Sequence, residues 1–361
     1  MTEDSTTPAD EHPSDSSWSD DGRFDRQERF VGVGPEGQAR LRQRDVLIVG
    51  CGALGGSLAQ TLARAGVGRL RLADRDVVEV TNLPRQVLFD AEDAARARPK
   101  VEAAANALAR IGGPTRVETH AVHVDATNLA ELAHGVDLIL DGTDNLTTRY
   151  RINDHAVRNG VPWIYAGVVG GSGLVLPVIP GRSACLRCLF PDPAPPGSLE
   201  TCDSAGVVLP AVAGVAALEA SLALRWLAGE SGIDSDLPLA LHQLDFWNGS
   251  FSSIAVDPDP DCPTCARGEY DFLDAAEVDA PLVLCGRNAV QLPPPPSRPD
   301  VGRLVARLEQ AGVRDLRRTP LLLRFEVDEF AVTVFNDGRA IVEGTEEPAR
   351  ALTVYDRFLG S

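Results

Sequence analysis

Hydrophobic and polar positions in the first half of the chain follow an alternating strand and helix pattern. Residues 46 to 49 form an apolar run, which is followed by a glycine-rich turn. An amphipathic period of 3.6 then extends to about Ala65, and a second apolar run ends at Asp74. This order predicts a βαβ unit, in which a helix crosses between two parallel strands.

The alternation continues up to Gly170. Helical periodicity covers residues 100 to 111, 127 to 133 and 146 to 159, and apolar strand patterns lie in RVETHAV, VDLILDGTD and PWIYAGVVG. Alternating units of this kind predict a doubly wound, mostly parallel, Rossmann-like α/β sheet with helices on both faces.

After Gly170 the pattern changes, which suggests how the chain is divided. It contains a hairpin-like SGLVLPVIPG, a Pro-rich loop, an Ala-rich helix at about 210 to 228, and the strands LALHQLDF and SFSSIAV. We expect a disordered acidic tail over residues 1 to 22, a main domain over 23 to 269, a linker over 270 to 279, and a small α/β unit of unknown role over 280 to 361.

Composition and charge exclude several classes of function. The chain is 44% hydrophobic, as in ordinary globular proteins, and its net charge of −18 disfavours a nucleic-acid or anionic-membrane surface. We expect no apolar run of membrane-spanning length, and the N-terminus has no apolar signal segment. These features predict a cytoplasmic protein that contacts neither membrane nor nucleic acid.

The turn sequence GCGALG favours a nucleotide site. Glycines at 50, 52 and 55 permit a tight strand-to-helix turn, close approach of a phosphate and close helix packing. Gly50, Gly52, Ala53 and Gly55 are therefore candidate phosphate contacts at a helix N-terminus. Asp74, at the end of the next strand, is placed to accept hydrogen bonds from ribose hydroxyls.

Charged residues downstream separate a triphosphate site from a nicotinamide site. Asn82 and Arg85 follow Asp74, Lys100 begins the next helix, and Asp144 follows a later strand. The carboxyl ends of such strands face one crevice. Cations for phosphate oxygens and a hard oxygen ligand for Mg²⁺ are what ATP requires, whereas an NAD-dependent oxidoreductase would leave them unexplained.

The cysteine pattern predicts a metal site. Cys185 and Cys188 form one C-x-x-C pair, and Cys262 and Cys265 form another. Four thiolates in two such pairs suit a closed tetrahedral structural zinc site, with a redox disulfide or unligated thiols as alternatives. Cys202 precedes a predicted helix, whose N-terminus could lower a thiol pKa, but it is equally well explained as a small buried residue.

Six motifs together resemble the ThiF, MoeB and HesA family of ubiquitin-activating-enzyme-like adenylyltransferases. They are RFDRQ, VGCGALGG, DRDVVEVTNLPRQ, PKVEAA, DGTDN followed by an arginine, and CLRC with CPTC. The resemblance covers residues 23 to 267. The C-terminal sequence resembles the extension of longer ThiF-like members, which favours a thiamine-type sulfur carrier over other carriers.

The resemblance implies a role for each basic motif residue. Arg26 would reach the γ-phosphate in the neighbouring protomer's site, which implies a homodimer. Arg85 and Lys100 would hold phosphates, while Asp74 and Asn82 would frame the nucleoside.

It also implies the metals and the protein partners. Asp144, with Asn145 in the same motif, would contact Mg²⁺ and ATP, and the four paired cysteines would hold Zn²⁺. Cys202 matches a cysteine that in some members links covalently to the carrier. The carrier would be a small ubiquitin-like protein ending in Gly-Gly, with a sulfurtransferase or cysteine desulfurase as a further partner.

Lys100 is the only lysine among 34 basic residues, and the implied chemistry explains it. The carrier's C-terminal carboxylate, with an unperturbed pKa of about 3.5, is already an anionic nucleophile at neutral pH, so it needs cations rather than a general base. A compact ammonium can follow phosphate oxygens where a planar guanidinium does not fit. The remaining alternatives are activation of the molybdopterin synthase small subunit or of a ubiquitin-like modifier, an NAD-dependent oxidoreductase, and a non-enzymatic carrier-binding scaffold.

Overall fold

The computed structural model describes residues 22–193, 205–229, 237–274, 282–284, 288–295, 300–319, 322–335 and 338–359. These residues form two β-sheets with flanking helices. One sheet has eight strands in the order β3-β2-β1-β4-β5-β6-β7-β8, and the other has six in the order β11-β12-β13-β14-β10-β9.

The eight-stranded sheet is parallel from β3 to β5 and antiparallel from β5 to β8. The prediction of a doubly wound, mostly parallel sheet is therefore confirmed, as is the hairpin after Gly170. The strands are β1 Asp45–Val49, β2 Arg69–Ala73, β3 Arg116–His120, β4 Leu138–Asp141, β5 Trp163–Val169, β6 Ser172–Val178, β7 Ala240–Asp245 and β8 Ser250–Ala255.

Twelve α-helices are assigned within the described residues. They are α1 Asp25–Glu28, α2 Gly34–Leu41, α3 Ala53–Ala65, α4 Ala91–Ala95, α5 Lys100–Ile111, α6 Leu129–Leu132, α7 Leu146–Asn159, α8 Leu186–Leu189, α9 Leu209–Ala228, α10 Asp271–Asp274, α11 Val301–Gln310 and α12 Pro348–Phe358. A short 3₁₀ helix covers Val80–Asn82.

The strand order sets the position of a crevice. Every residue of β1 is buried, because β1 lies between β2 and β4 with helices covering the sheet. The chain runs outward from β1 to β2 and β3, and then returns to the other side of β1 as β4. The connections therefore diverge between β1 and β4, which is where open α/β sheets bind ligands at the carboxyl ends of the strands.

Helix α9 corrects one expectation. It is 20 residues long and apolar enough to pass as a membrane span by length and composition, so the expectation of no such stretch is wrong. The helix packs on α3, β5 and β6, and 61% of the span is buried inside the protein. Its apolar length therefore reflects a core position.

The C-terminal unit, defined as the described residues from 282 to 359, has an antiparallel sheet with α11 and α12. Its core is a cluster of apolar side chains that includes Phe325, Val332 and Phe358. The strands are β9 Leu282–Leu284, β10 Ala289–Leu292, β11 Arg314–Arg318, β12 Leu322–Val327, β13 Phe330–Phe335 and β14 Ala340–Glu343.

Within the predicted linker, α10 packs against α7. The backbone N–H of Phe272 donates to Asp154, and Arg158 pairs with both carboxylate oxygens of Asp274. Residues 275 to 280 lie outside the described residues, as do the predicted acidic tail up to residue 21 and Cys202.

Candidate active site

The glycine loop between β1 and α3 is shaped by close backbone packing. Gly50 has a φ of +87°, and a Cβ there would lie 2.6 Å from the backbone of Gly142. A Cβ on Gly55 would collide with the carbonyl of Gly50. Both positions therefore require glycine, and the loop lies directly against the segment that follows β4.

Helix α3 begins at this loop with no side-chain cap. Gly52 is the N-cap residue and Ala53 the first helical residue, and among the described residues no side chain caps the first turn. The first turn of a helix presents N–H donors and the positive end of the helix dipole. The loop therefore offers an anion site built from backbone.

Asp74 ties the end of β2 to the glycine loop. Its carboxylate accepts hydrogen bonds from the backbone N–H of Cys51 at 2.6 Å and of Asp76 at 2.7 Å. Burial raises the pKa of Asp74, and the Lys100 charge opposes that rise. Each carboxylate oxygen can accept more than one hydrogen bond, so both can also accept from hydroxyls of a nucleoside.

Lys100 lies in the same crevice as Asp74, and its Nζ is 3.1 Å from a carboxylate oxygen of Asp76. The residue is 4% exposed and is the first residue of α5. The positive end of a helix dipole disfavours a cation there. Asp76 offsets that cost, so the crevice contains a buried ion pair beside the anion site.

The segment after Asp76 brings three further polar residues to the site. Asn82 is buried, and its side-chain oxygen accepts from the N–H of Glu79. Arg85 is half-buried and donates to the carbonyl of Thr81. Gln86 is buried with its Nε2 3.7 Å from where a Cβ on Gly52 would be, which places it over the glycine loop.

The residues after β4 form the opposite wall. Asp144 is exposed, and Asn145 is the N-cap of α7, where its side-chain oxygen accepts from the N–H of Thr148 at 2.9 Å. Because Gly142 packs on Gly50, the loop holding Asp144 follows the glycine loop closely. An exposed carboxylate here can act as a hard ligand for a divalent cation.

Behind this wall is a buried cluster of charged residues. Arg149 donates to Asp141 at 2.8 Å and to the carbonyls of Thr143 and Ala166 at 2.6 and 2.9 Å. The carboxyl group of Glu219, in the middle of α9, accepts from the N–H of Asp141 at 3.2 Å. The cluster thus braces the turn that leads to Asp144.

Glu219 is fully buried and electrostatically unusual. Burial, with the nearby Asp141 carboxylate second, raises the pKa of Glu219 well above its ordinary value. Among the described residues its second carboxyl oxygen has no hydrogen-bond partner. The contact with Asp141 lies one residue beyond Leu140, where the pairing of β4 with β5 ends, so Glu219 accepts the hydrogen bond of an N–H at the edge of the crevice.

The four predicted metal ligands lie together in a second cluster, which we call the four-cysteine cluster. Its members are Cys185, Cys188, Cys262 and Cys265. All four sulfur atoms lie within 4.8 Å of one another. The closest pairs are 3.4 and 3.5 Å apart, near the sulfur separation of about 3.8 Å in a tetrahedral site with metal–sulfur bonds of about 2.3 Å. The arrangement can hold a metal ion.

Backbone and side-chain donors point at these sulfur atoms. The N–H groups of Cys185 and Asp259 donate to Cys188, and the amide of Asn153 donates to Cys185. Asn153 lies eight residues along α7 from Asn145, which corresponds to about 12 Å. The four-cysteine cluster is therefore apart from the crevice.

Arg26 is an exposed residue of α1 and lies at the far end of α3 from the glycine loop. Its neighbours Phe24 and Gln27 contact Gly66 and Ala65, which lie at the end of α3. The 13 residues of α3 span about 20 Å. Arg26 is thus not assembled with the crevice of its own chain.

The sequence analysis assigned no role to four of these residues. Three of them, Asp76, Gln86 and Arg149, lie inside the quoted motifs, and the fourth is Glu219. Asp76 is two residues from Asp74 and its importance depends on a contact with Lys100, 24 positions away. Glu219 did have a signal, because it is the only charged residue in the otherwise apolar LPAVAGVAALEASLAL. A lone carboxylate on a core helix indicates a specific buried partner.

Comparison with known proteins identifies the relatives of this chain. The sulfur carrier protein ThiS adenylyltransferase of Bacillus subtilis is 38% identical over 342 residues, which cover 94% of this chain and 99% of that protein. The sulfur carrier protein adenylyltransferase of Thermus thermophilus is 41% identical over 252 residues, covering 67% and 90%.

Solved structures and a family model add to this comparison. The crystal structure of E. coli MccB with MccA-N7isoASN has a TM-score of 0.59 at 24% identity and covers 69% of this chain and 75% of that one, which supports the fold alone. The model of the ThiF family matches residues 24–264. Since that match spans more than half of the sequence, the chain belongs to the ThiF family.

Proposed function

We propose that this protein is an adenylyltransferase that uses ATP and Mg²⁺ to activate the C-terminal glycine of a ubiquitin-like sulfur carrier protein. The proposal is supported by the names of the relatives, above all the Bacillus subtilis protein, whose match extends beyond the family model into the C-terminal unit. Because of that match, we favour a carrier for thiamine thiazole synthesis.

The observation that carries the proposal is the buried Lys100 beside the glycine loop. A cation at a helix N-terminus is costly, and burial adds to the cost. Its carboxylate partner, Asp76, lies in the same crevice as the anion site at the glycine loop. This arrangement suits the binding of a polyphosphate, whereas a hydride-transfer site would not require a buried cation here.

The reaction follows from charge. A carboxylate oxygen of the carrier's terminal glycine attacks the α-phosphorus of ATP, a new P–O bond forms, and the bond to the bridging oxygen breaks. Pyrophosphate leaves with the bond electrons, and the carrier becomes an acyl adenylate. No proton moves, because the nucleophile is already ionised at neutral pH.

Residues of this chain lower the barrier by offsetting repulsion between two anions. Lys100 and Arg85 contact phosphate oxygens, and the backbone of the glycine loop approaches the phosphates at the N-terminus of α3. Asp74 and Asn82 hold the nucleoside. Mg²⁺, held by Asp144 with Asn145 beside it, would neutralise charge on the departing pyrophosphate.

A homodimer completes the site in this proposal. Arg26 lies about 20 Å along α3 from the glycine loop of its own chain, so it would contact the γ-phosphate in the partner's crevice. Cys202, outside the described residues, would serve as an acceptor for a covalent link to the carrier.

The four-cysteine cluster would hold Zn²⁺ in a structural role. Four thiolates fill a tetrahedral coordination sphere and leave no open position for a reactant. The ion would join α8 to the segment at 262 to 265, which contacts α7 through Asp154. We place the reaction in the cytoplasm, with a sulfurtransferase or cysteine desulfurase supplying sulfur to the activated carrier.

The test is ATP–pyrophosphate exchange with purified candidate carriers. We expect exchange when a thiazole-type carrier ending in Gly-Gly is added, and none with the same carrier lacking its last glycine. Exchange with a molybdopterin-synthase-type carrier alone would move the assignment to that pathway. Reduction of a nicotinamide cofactor without any exchange would overturn the proposal in favour of an oxidoreductase.

A further inference from the structure

The C-terminal unit touches the main sheet at the segment that holds the candidate nucleotide-binding residues. Arg339 precedes β14, is 1% exposed, and donates from both terminal nitrogens to the backbone carbonyl of Arg75 at 3.1 and 3.2 Å. Arg75 is the residue between Asp74 and Asp76. The C-terminal unit therefore grips the turn that contacts the glycine loop and Lys100.

Arg339 is fixed on its own side of the contact. Its guanidinium lies over the ring of Phe335, 3.8 Å from the ring centroid, and donates to the side chain of Gln291. A planar group held by stacking and several hydrogen bonds has little freedom to rotate. The carbonyl of Arg75 is consequently held by a rigid donor pair.

An apolar seam surrounds this hydrogen bond. Val77 and Ala97 are buried against side chains of the C-terminal unit, and Arg317 donates to the carbonyl of Ala95 at 2.9 Å. The side chains that cover Val77 and Ala97 are Ala289, Leu322, Phe335 and Ile341.

The backbone segment that Arg339 contacts also supports the ion pair of Lys100 with Asp76. A β-bridge joins Val77 to Pro99, the N–H of Lys100 donates to the carbonyl of Asp76, and the N–H of Val78 donates to the carbonyl of Arg98. These contacts set where Asp76 and Lys100 meet. Contacts of the C-terminal unit with this short bridge therefore affect the positions of Asp76 and Lys100 together.

We propose that the C-terminal unit acts as a clamp, which holds the turn from Asp74 to Asp76 in place, and that Arg339 is a positioning residue for ATP binding. It acts through the Arg75 carbonyl, which holds Asp74 against the glycine loop and Asp76 against Lys100. This role differs from carrier docking, and it rests on the proposed function only for its nucleotide readout.

The experiment compares Arg339→Lys with Arg324→Lys in the full-length chain. Arg324 makes the matched control because its guanidinium contacts Glu343 and Thr333 inside the C-terminal sheet. Two quantities are measured: the Kd for ATP with Mg²⁺ by calorimetry, and amide hydrogen exchange over residues 74 to 100 without nucleotide. Circular dichroism checks that both variants fold.

We expect Arg339→Lys to raise the Kd for ATP about tenfold and to speed exchange at residues 75 to 78 and 98 to 100. Arg324→Lys is expected to change neither by more than about twofold, and the KM for the carrier stays the same in both. Equal behaviour of the two variants would overturn the clamp. So would a raised carrier KM with an unchanged Kd for ATP, which would assign the unit to carrier docking.

The two proposals can fail separately. If wild-type protein does not bind ATP, the proposed function fails, while the exchange measurement still decides the clamp. Faster amide hydrogen exchange in Arg339→Lys, but not in Arg324→Lys, supports the clamp, and unchanged amide hydrogen exchange overturns it.

Discussion

The four-cysteine cluster and the ion pair of Lys100 with Asp76 both bury ionisable groups, but only the ion pair contains both signs of charge. Four sulfur atoms lie within 4.8 Å of one another, and burial and the neighbouring thiols raise the pKa of Cys185 to about 12. Lys100, by contrast, has a carboxylate oxygen at 3.1 Å. The two regions compensate buried charge in different ways.

This difference predicts what each region needs. Burial and the neighbouring thiols keep Cys185 protonated near neutral pH, and a bound cation is what would let all four thiols ionise and join the two segments, so we expect the four-cysteine cluster to depend on a metal ion for stability. The charges of Lys100 and Asp76 offset each other, so this region can fold without a bound nucleotide. In the proposed function, the four-cysteine cluster therefore holds a permanent metal ion, and the crevice at Lys100 binds and releases a nucleotide.

Metal removal should have the largest effect. We expect the purified protein to hold one zinc ion per chain and Cys262→Ala to lose it, with a fall of more than about 3 kcal/mol in the free energy of unfolding. Metal analysis and denaturant unfolding measure this. Cys51→Ala, at a buried cysteine outside the cluster, should keep its zinc; full stability of Cys262→Ala without metal would contradict a structural role.

The proposed sharing of one site between two protomers can be tested by mixing subunits. Arg26→Ala and Lys100→Met chains are each expected to lose about 100-fold or more in carrier-dependent exchange. Random re-association of the two gives one intact site in half of the dimers, so activity should recover to about a quarter of wild type.

A control for the mixing experiment isolates the trans contact. Chains with Arg26→Ala mixed with chains carrying both substitutions contain no intact site and should stay inactive. Recovery that is absent in the first mixture, although mixed dimers form, would show that Arg26 does not act across an interface.

The smallest effect concerns Glu219 and pH. Its pKa is raised in the folded protein, so its contribution to stability is present below its ordinary pKa of about 4.5 and is lost as pH rises towards the folded value. Glu219→Gln keeps the acceptor for Asp141 and removes the ionisation. Unfolding free energies should shift in favour of the variant by at most about 1.4 kcal/mol per pH unit above about pH 5.

A matched substitution at the surface serves as its comparison. Glu131→Gln, at an exposed position on α6, should show no such pH-dependent difference from wild type. If the two variants have parallel pH profiles, Glu219 is ionised in the folded protein and the account of the buried cluster is wrong.

Local patterns were sufficient for much of this molecule. The βαβ unit around GCGALG, the parallel strands and the two C-x-x-C pairs follow from residues a few positions apart, and the structure confirms the sheet and brings the four sulfurs together. Helix α9 was predicted correctly, at about 210 to 228, but the expectation that no apolar run reaches membrane-spanning length was wrong.

Other features depend on tertiary contacts that no local pattern encodes. Glu219 meets Asp141 across 78 positions, and Arg339 meets Arg75 across 264. Such partners are selected by packing of distant elements, so spacing along the chain carries no signal for them. The nucleotide roles of the motif residues stay predictions until a ligand is bound.

The most direct test of the central claim is the double variant Asp76→Asn with Lys100→Met. Removing both charges of a buried ion pair together leaves no uncompensated charge, so the free energy of unfolding should change far less than in either single variant. Carrier-dependent ATP–pyrophosphate exchange should nevertheless fall at least about 100-fold, because the cation for the phosphates is gone. A folded double variant that exchanges at the wild-type rate would contradict the claim that this buried charge is kept for a polyphosphate.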